Sequence, residues 1–424
     1  MQPFWAWAAT TDETVRPAAN PRALALGVLL QVHRGKLAAP SLDVALSRAK
    51  LGSQAAGLVT DLVYGTLRRL RWIDWSLEPW LEWPARLPLA VRWALRAGTY
   101  EKLSTNRPHH AVVNAWVGVA AGQQPKLRGL VNAVLRRVKR RPAPEAVRLG
   151  LPDFLYEEWR AHFGNPGWME ALNEPAPLWL TLFSGGEEAL KRQGVPFAVG
   201  PVPGSVRVQG WPVRRLAAFR EGRAQPQNPA SLLAAQLLGA RAGERVLDLA
   251  GGVGLKAAWL SAQGAEVVSV DRDARRQQSG QRNLARLGLE VAFRTHDLTR
   301  PLDLTAPKVL LDAPCLGTGT LRGHPELRMR LRPEALAPMA QLQARLLETA
   351  AHATAPGGRL VYAVCSLTGE EGEGQVARFL ERHPEFEPEE ISVPVPVLAR
   401  GYGVYVRPTD GLDGFFYARL KRRP

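Results

Sequence analysis

Residues 244 to 271 constrain the fold of this chain more than any other stretch. Glu244-Arg245-Val246-Leu247-Asp248-Leu249-Ala250 reads as a buried strand and runs directly into Gly251-Gly252-Val253-Gly254-Leu255-Lys256. A helical segment, AAWLSAQ, follows, and a second buried strand, AEVVSV, ends in Asp271. Glycines let a backbone turn tightly and approach a ligand, and a carboxylate about twenty residues past such a loop is placed to take ribose hydroxyls. A glycine loop alone says little. The order strand, loop, helix, strand, Asp describes a βαβ unit that binds a dinucleotide or a nucleoside.

The same rhythm continues downstream. EVAFRTHD is a strand ending in His296-Asp297, where Asp297 is placed to accept from an adenine amino group. KVLLDAPC and GRLVYAVCS are two further buried strands, with the helical ALAPMAQLQARLLETAAHA between them. YGVYVRP and GFFYARL pair as a closing antiparallel hairpin. Strands alternating with helices make residues 236 to 424 an α/β, Rossmann-like, doubly wound domain. Upstream, residues 143 to 235 form a linker and a small α+β segment, with a strand-like PLWLTLF and valine alternations around VPFAV and GSVRVQGWPV.

Two of the strands carry the only cysteines in the 424 residues, in Asp312-Ala313-Pro314-Cys315-Leu316-Gly317-Thr318-Gly319 and in Tyr362-Ala363-Val364-Cys365-Ser366. A lone Cys is usually a small buried hydrophobe. Two Cys do not make a disulfide scaffold, and a structural zinc site needs about four ligands, which the 8 His do not supply at a paired spacing. What distinguishes these two is their setting. Each ends an apolar strand, so both thiols reach the carboxyl edge of one sheet, where α/β proteins gather ligands. The Asp before Cys315 and the Gly-x-Gly after it describe a tight loop.

Residues 1 to 142 read as an all-α bundle. Segments 22–34, 54–70, 87–104, 109–122 and 127–139 repeat apolar residues three and four apart, with basic residues between. The formal net charge is +16, and most of the excess lies in the first 150 residues. An excess so one-sided points to phosphates, and hence to nucleic acid. Trp72, Trp75, Trp80, Trp83, Trp93 and Trp116 are either core or stacking platforms for bases. His109 and His110 read as a helix start. The N-terminus, MQPFWAWAATTDETV, is a poor signal peptide, and no run approaches the roughly 18 apolar residues of a membrane span. A cytoplasmic monomer with no membrane association is expected.

DAPCLGTGTLRGHPELRMR followed by VYAVCSLTGEEGEGQVARFL resembles the signature pair of the Sun (Fmu) family of RNA cytosine-C5 methyltransferases. The helical front resembles the NusB-like RNA-binding domain of that family's bacterial ribosomal RNA branch (RsmB/Sun), at DLVYGTLRRLRWID and at RPHHAVVNAWV with GLVNAVLRRVKR. Membership implies S-adenosylmethionine as cofactor and a cytosine of ribosomal RNA, probably of the small subunit, as substrate, with transfer RNA the alternative. It places the nucleophile on Cys365 and the second thiol on Cys315. It sets the cofactor loop on Asp248, Ala250, Gly251, Gly252, Val253, Gly254, Leu255 and Lys256, with Asp271, Asp297 and Asp312 as later carboxylates, and it aligns Gln227-Asn228-Pro229-Ala230-Ser231 with the entry to the catalytic domain. The chain departs from the pattern where Ala250, Val253 and Leu255 replace Cys, Pro and Gly, and where LWLTLFSGG lacks an Arg-x-Asn.

The implied chemistry explains two thiols. Carbon 5 of cytosine is a poor nucleophile until a thiolate adds to carbon 6. The thiol must then be expelled, a step that Cys315 assists or serves as base, while Asp312 hydrogen-bonds the ring. Spacing does not decide which Cys attacks: a Pro-Cys motif favours Cys315, as in DNA cytosine methyltransferases, whereas the family resemblance favours Cys365. Arg322, His324 and Arg330 are candidate phosphate contacts, with a loop-ordering hydrogen bond the other reading for His324. An RNA-binding protein that no longer methylates is the rival class.

Overall fold

A computed structural model describes residues 20–82 and 84–424. The chain forms two compact units that divide between Pro144 and Glu145. Two sequence features fall outside the described residues, the N-terminal MQPFWAWAATTDETV segment and Trp83.

The first unit is helical: α1 (Pro21–His33), α2 (Ala38–Ala49), α3 (Ser53–Arg68), α4 (Leu70–Leu77), α5 (Leu89–Ser104), α6 (His109–Gln123) and α7 (Arg128–Arg137). Asn20 starts α1, its side chain accepting from Arg22 N, and Pro21 occupies the first turn, where the missing N–H costs nothing. Helix α6 begins at His109, after Pro108. Trp93 and Trp116 are fully buried, so neither is a stacking platform. Trp116 Nε1 donates to Glu101 Oε2 at 2.7 Å, and the Arg22 guanidinium donates to the same carboxylate at 2.8 and 2.6 Å. Lys102, next in sequence, closes the end of α7 by donating to the carbonyls of Leu135, Arg136 and Val138, where the helix dipole favours a cation. Helices α2 and α4 are absent from the periodicity reading, and α4 starts at Leu70, within two residues of the end of α3.

The second unit opens with α8 (Glu145–Leu149) and α9 (Asp153–Phe163). A small antiparallel sheet follows, built from β1 (Leu178–Leu182), β2 (Phe197–Val199), β3 (Ser205–Val208) and β4 (Ala224–Pro226) in the order β2-β3-β1-β4, with α10 (Gly186–Arg192) and α11 (Ala217–Arg220) alongside. Helix α12 (Pro229–Leu237) leads into the main sheet, so the boundary expected at 235/236 falls inside a helix.

The main elements are β5 (Arg245–Leu249), α13 (Leu255–Ala262), β6 (Glu266–Asp271), α14 (Ala274–Leu287), β7 (Ala292–Thr295), β8 (Ala306–Asp312), α15 (Leu336–Ala353), β9 (Thr354–Val364), α16 (Glu373–Arg382), β10 (Phe386–Glu389), β11 (Val397–Arg400), β12 (Gly403–Val406) and β13 (Phe415–Arg422). The strands run β11-β12-β13-β9-β8-β5-β6-β7, with β10 also on β13. The five strands from β9 to β7 are parallel, and β13 joins them antiparallel to β9 and carries β12 and β11 beyond it. Alternation sends successive side chains to opposite cores. Leu360, Tyr362 and Val364 join Trp159, Leu346 and Phe379 on one face, while Val361 and Ala363 join Leu232, Leu233 and Leu260 on the other. No helix among the described residues is long and apolar enough to cross a membrane.

Glu101 is the buried charge on which the helical unit relies. Removing one partner of a buried ion pair leaves the other uncompensated, so Glu101→Ala is expected to cost about 3–5 kcal/mol. Denaturant unfolding followed by tryptophan fluorescence measures it.

Candidate active site

The parallel register brings the expected residues to one edge. Asp271 ends β6 opposite Thr295 of β7, with His296 and Asp297 next in the chain. Asp312 ends β8 opposite Ala363 of β9, and Cys365 follows one residue past β9. A cavity of about 270 Å³ opens at this edge, lined in part by Ala250, Asp271, His296, Asp297, Asp312, Cys315 and Cys365. Arg272, Arg276, Leu342 and Leu346 also line it and were not singled out in the sequence. Leu342 and Leu346 are a helical i, i+4 pair that reads as ordinary core.

The loop after β5 is held in a left-handed conformation at Ala250, Gly252 and Gly254, with φ of 58°, 57° and 69°. A non-glycine residue is rare there, and Ala250 stands at the cavity wall. At Gly251, an added Cβ would lie 2.2 Å from Ser269 Oγ and 2.3 Å from Asp248 Oδ2, which are themselves hydrogen-bonded at 3.1 Å. Gly251 therefore makes room for that bond. Val253 is half-buried, and Leu255 begins α13, its carbonyl accepting from Gln225 Nε2 at 2.8 Å.

Asp248 lies beneath the loop, fully buried, with Oδ1 lacking a hydrogen-bond partner. Burial pushes its carboxyl up to about 7, against the pull of nearby Lys256. The Lys256 ammonium donates to Asp312 Oδ2 at 2.5 Å and to Ser231 Oγ at 3.1 Å. Burial opposes its charge, but Asp312 and Asp248 hold it above the ordinary lysine range. Asp271 Oδ2 accepts from Gly252 N and Oδ1 from Asp273 N, both at 2.8 Å. Asp297 accepts from the Thr299 backbone and hydroxyl, which hold it below the usual carboxylate range.

The two sulfurs are 3.3 Å apart. Cys365 packs against the core of α12 and α13, Cys315 against that of α15 and α16, and they meet across the sheet edge. The hydrogen bond to Cys365, together with burial, raises the Cys315 thiol well above the ordinary cysteine range. Around them the loops are cross-tied: Gly319 N donates to the Cys365 carbonyl at 3.0 Å, Leu367 N to Thr318 Oγ1 at 2.8 Å, and Thr318 Oγ1 shares a hydrogen bond with Ser366 Oγ at 3.0 Å.

Of the candidate phosphate contacts, Arg322 is buried and donates to the Ala171 carbonyl at 2.6 Å and to Glu174 at 3.2 Å, so it anchors a loop. His324 lies 3.9 Å from Glu326, which raises its imidazole, in keeping with the loop-ordering reading. Arg330 is exposed. Among the described residues no cluster of His, Cys, Asp or Glu could hold a metal ion.

A parallel sheet with a glycine loop after its first strand, and carboxylates at the ends of the next strands, defines a Rossmann-like methyltransferase domain. Residues 235–421 match the family model described as 16S rRNA methyltransferase RsmB/F, and residues 19–140 match the NusB family. The chain is 57% identical to the ribosomal RNA small subunit methyltransferase B of Thermus thermophilus, over 96% of this chain and 98% of that protein. It is 31% identical to the protein of the same name from Klebsiella pneumoniae, over 88% and 92%. The crystal structure of the protein PH0851 superposes with a TM-score of 0.84 at 26% identity, covering 96% of this chain and 99% of that one. The chain belongs to the ribosomal RNA small subunit methyltransferase B family.

The loop beyond Cys365 is pinned by Glu158 of α9, which accepts from Gly369 N at 3.2 Å. Burial, reinforced by Glu370, pushes the Glu158 carboxyl up to about 7. The folded protein thus binds this proton more tightly than the unfolded chain does. The resulting stabilisation is full below the ordinary carboxylate range, near pH 4, and is lost as pH rises through about 7. Glu158→Gln, which keeps an acceptor for Gly369, is expected to melt with wild type near pH 4 and about 2–4 °C above it at pH 8, as a calorimetric scan at both pH values would show.

Proposed function

We propose that this chain transfers a methyl group from S-adenosylmethionine to carbon 5 of a cytosine in small-subunit ribosomal RNA, through a covalent bond between Cys365 and carbon 6. The observation that carries the reading is the pair of sulfurs 3.3 Å apart on a cavity that Asp312 also lines. Methylation of an oxygen or an amino nitrogen needs no thiol, whereas activation of a ring carbon needs one to add and then leave.

The cofactor fits the residues present. His296 Nε2 is buried without a partner, and His296 stands on the cavity wall with Ala250, Asp271 and Asp297. Asp271 and Asp297 would hold the adenosine end, the backbone of Ala250 to Gly254 the amino-acid end, and Leu342 and Leu346 the apolar wall. S-adenosylmethionine supplies an electrophilic sulfonium methyl group.

The chain's own residues do the rest. Asp312, held by Lys256, accepts from the exocyclic amine of the ring and fixes the base over the thiols. The Cys365 thiolate bonds to carbon 6, and the ring's electron pair makes carbon 5 nucleophilic. Once carbon 5 is substituted, its proton passes to solvent in the open cavity, the C–H electron pair restores the ring double bond, and the pair of the C6–S bond returns to Cys365. Cys315, held as a thiol beside that sulfur, donates a hydrogen bond to it as the bond breaks. A base stacked in a helix cannot present carbon 6 to a thiol, so the target is single-stranded or flipped out.

Transfer of labelled methyl from S-adenosylmethionine to purified small-subunit rRNA, followed by nucleoside analysis, tests this reading. Label is expected in 5-methylcytidine, with at least a ~10³-fold loss in Cys365→Ala. Label in another nucleoside, or undiminished transfer by the variant, overturns it.

A further inference from the structure

Two identical thiols 3.3 Å apart need something to make them different. The acidic run after Cys365 holds three glutamates, Glu370, Glu371 and Glu373, and one of them is turned fully inward. Glu371 Oε1 accepts from Leu316 N at 2.9 Å and from Gln343 Nε2 at 3.0 Å. Its Oε2 accepts from Ser366 Oγ and, at 2.9 Å, from Thr368 Oγ1. Leu316 follows Cys315 and Ser366 follows Cys365, so one carboxylate grips both cysteine loops. Gln343 Nε2 also donates to the Pro314 carbonyl at 2.9 Å, which fixes the amide orientation and leaves Oε1 facing donors only.

The surroundings of the two sulfurs are opposite in charge. The hydrogen bond to Cys365 and burial oppose ionisation of Cys315, and the Glu371 charge adds to them. The field between Cys365 and the buried Lys256 ammonium is attractive, though weaker than that of Asp312 and Asp248 on the same ammonium. The other titratable or charged groups that share the cavity with Cys315 are Asp312 at the end of its own strand and Asp271, Arg272, Arg276, His296 and Asp297 on the walls, and the Tyr362 phenol donates to the Glu371 carbonyl at 2.7 Å.

We propose that Glu371 is the positioning residue that assigns the two thiols their roles, holding Cys315 as the hydrogen-bond donor and Cys365 as the acceptor that attacks. It touches neither sulfur nor substrate. It acts through the Leu316 amide and the Ser366 hydroxyl, and through its charge. The assignment rests on the reading of Cys365 as nucleophile.

The test uses the full-length protein without RNA or cofactor. Iodoacetamide labelling of each cysteine, quantified peptide by peptide by mass spectrometry from pH 6 to pH 10, reports which thiol ionises first. In wild type Cys365 is expected to label at lower pH than Cys315; the reverse order overturns the proposal with no variant needed. In Glu371→Gln the onset for Cys315 is expected to fall by about one pH unit, a tenfold gain in labelling at fixed pH. Glu371→Asp, which keeps the charge, is expected to retain the wild-type profile. The same shift is expected when Cys365→Ser is compared with Cys365→Ser/Glu371→Gln, where the second thiol is absent. An unchanged Cys315 onset in a Glu371→Gln protein with native near-UV circular dichroism contradicts the proposal, as does equal behaviour of the Asp and Gln variants. Methyl transfer by wild type and Cys365→Ser, assayed separately, shows whether the nucleophile reading fails instead.

Discussion

The site depends on one buried cation. Lys256 sits in the first turn of α13, yet its ammonium joins three other elements: Asp312 at the end of β8, Ser231 on α12, and Asp248 beneath the loop through the field between them. Burying an ammonium costs several kcal/mol unless it is paired and hydrogen-bonded, so the arrangement persists only with its partners in place. The pair in turn points Asp312 along the cavity wall and sets a positive charge near Cys365. Altering Lys256 would disturb the glycine loop, Asp312 and the surroundings of Cys365 together.

Charge of opposite sign lies on the other side of the sulfurs. Glu371 is fully buried and its carboxylate accepts four hydrogen bonds, which turns a surface-like acidic run into the keystone of the loops after β8 and β9. Between Lys256 and Glu371, two chemically identical side chains acquire different environments.

Much of this was legible in the residues. The strand order followed from apolar runs of strand length bounded by glycine and aspartate, and both cysteines fell at the carboxyl edge because each ends such a run. Adjacency was a further step. β8 and β9 are neighbours and parallel, which brings Ala313 N to the Ala363 carbonyl at 2.9 Å and the two sulfurs together. Less legible were groups whose role depends on a loop curling back. Nothing in GEEGEG separates Glu371 from Glu370, which is exposed, and nothing near Ser231 announces that its hydroxyl meets Lys256. Arg322 looked like a surface cation and is a buried anchor, because a guanidinium can satisfy a carbonyl and a carboxylate at once. In the small sheet, β4 has only three residues, Ala224–Pro226, too few for a period to show.

The central claim is that Cys365 forms the bond to the base and that Cys315 helps to break it. Incubating Cys315→Ala with S-adenosylmethionine and small-subunit rRNA, digesting both polymers and locating the nucleotide by mass spectrometry tests it most directly. The account predicts an accumulated adduct on the peptide that carries Cys365. An adduct on Cys315 in the Cys365→Ala protein, with none on Cys365 in the reciprocal variant, would contradict it.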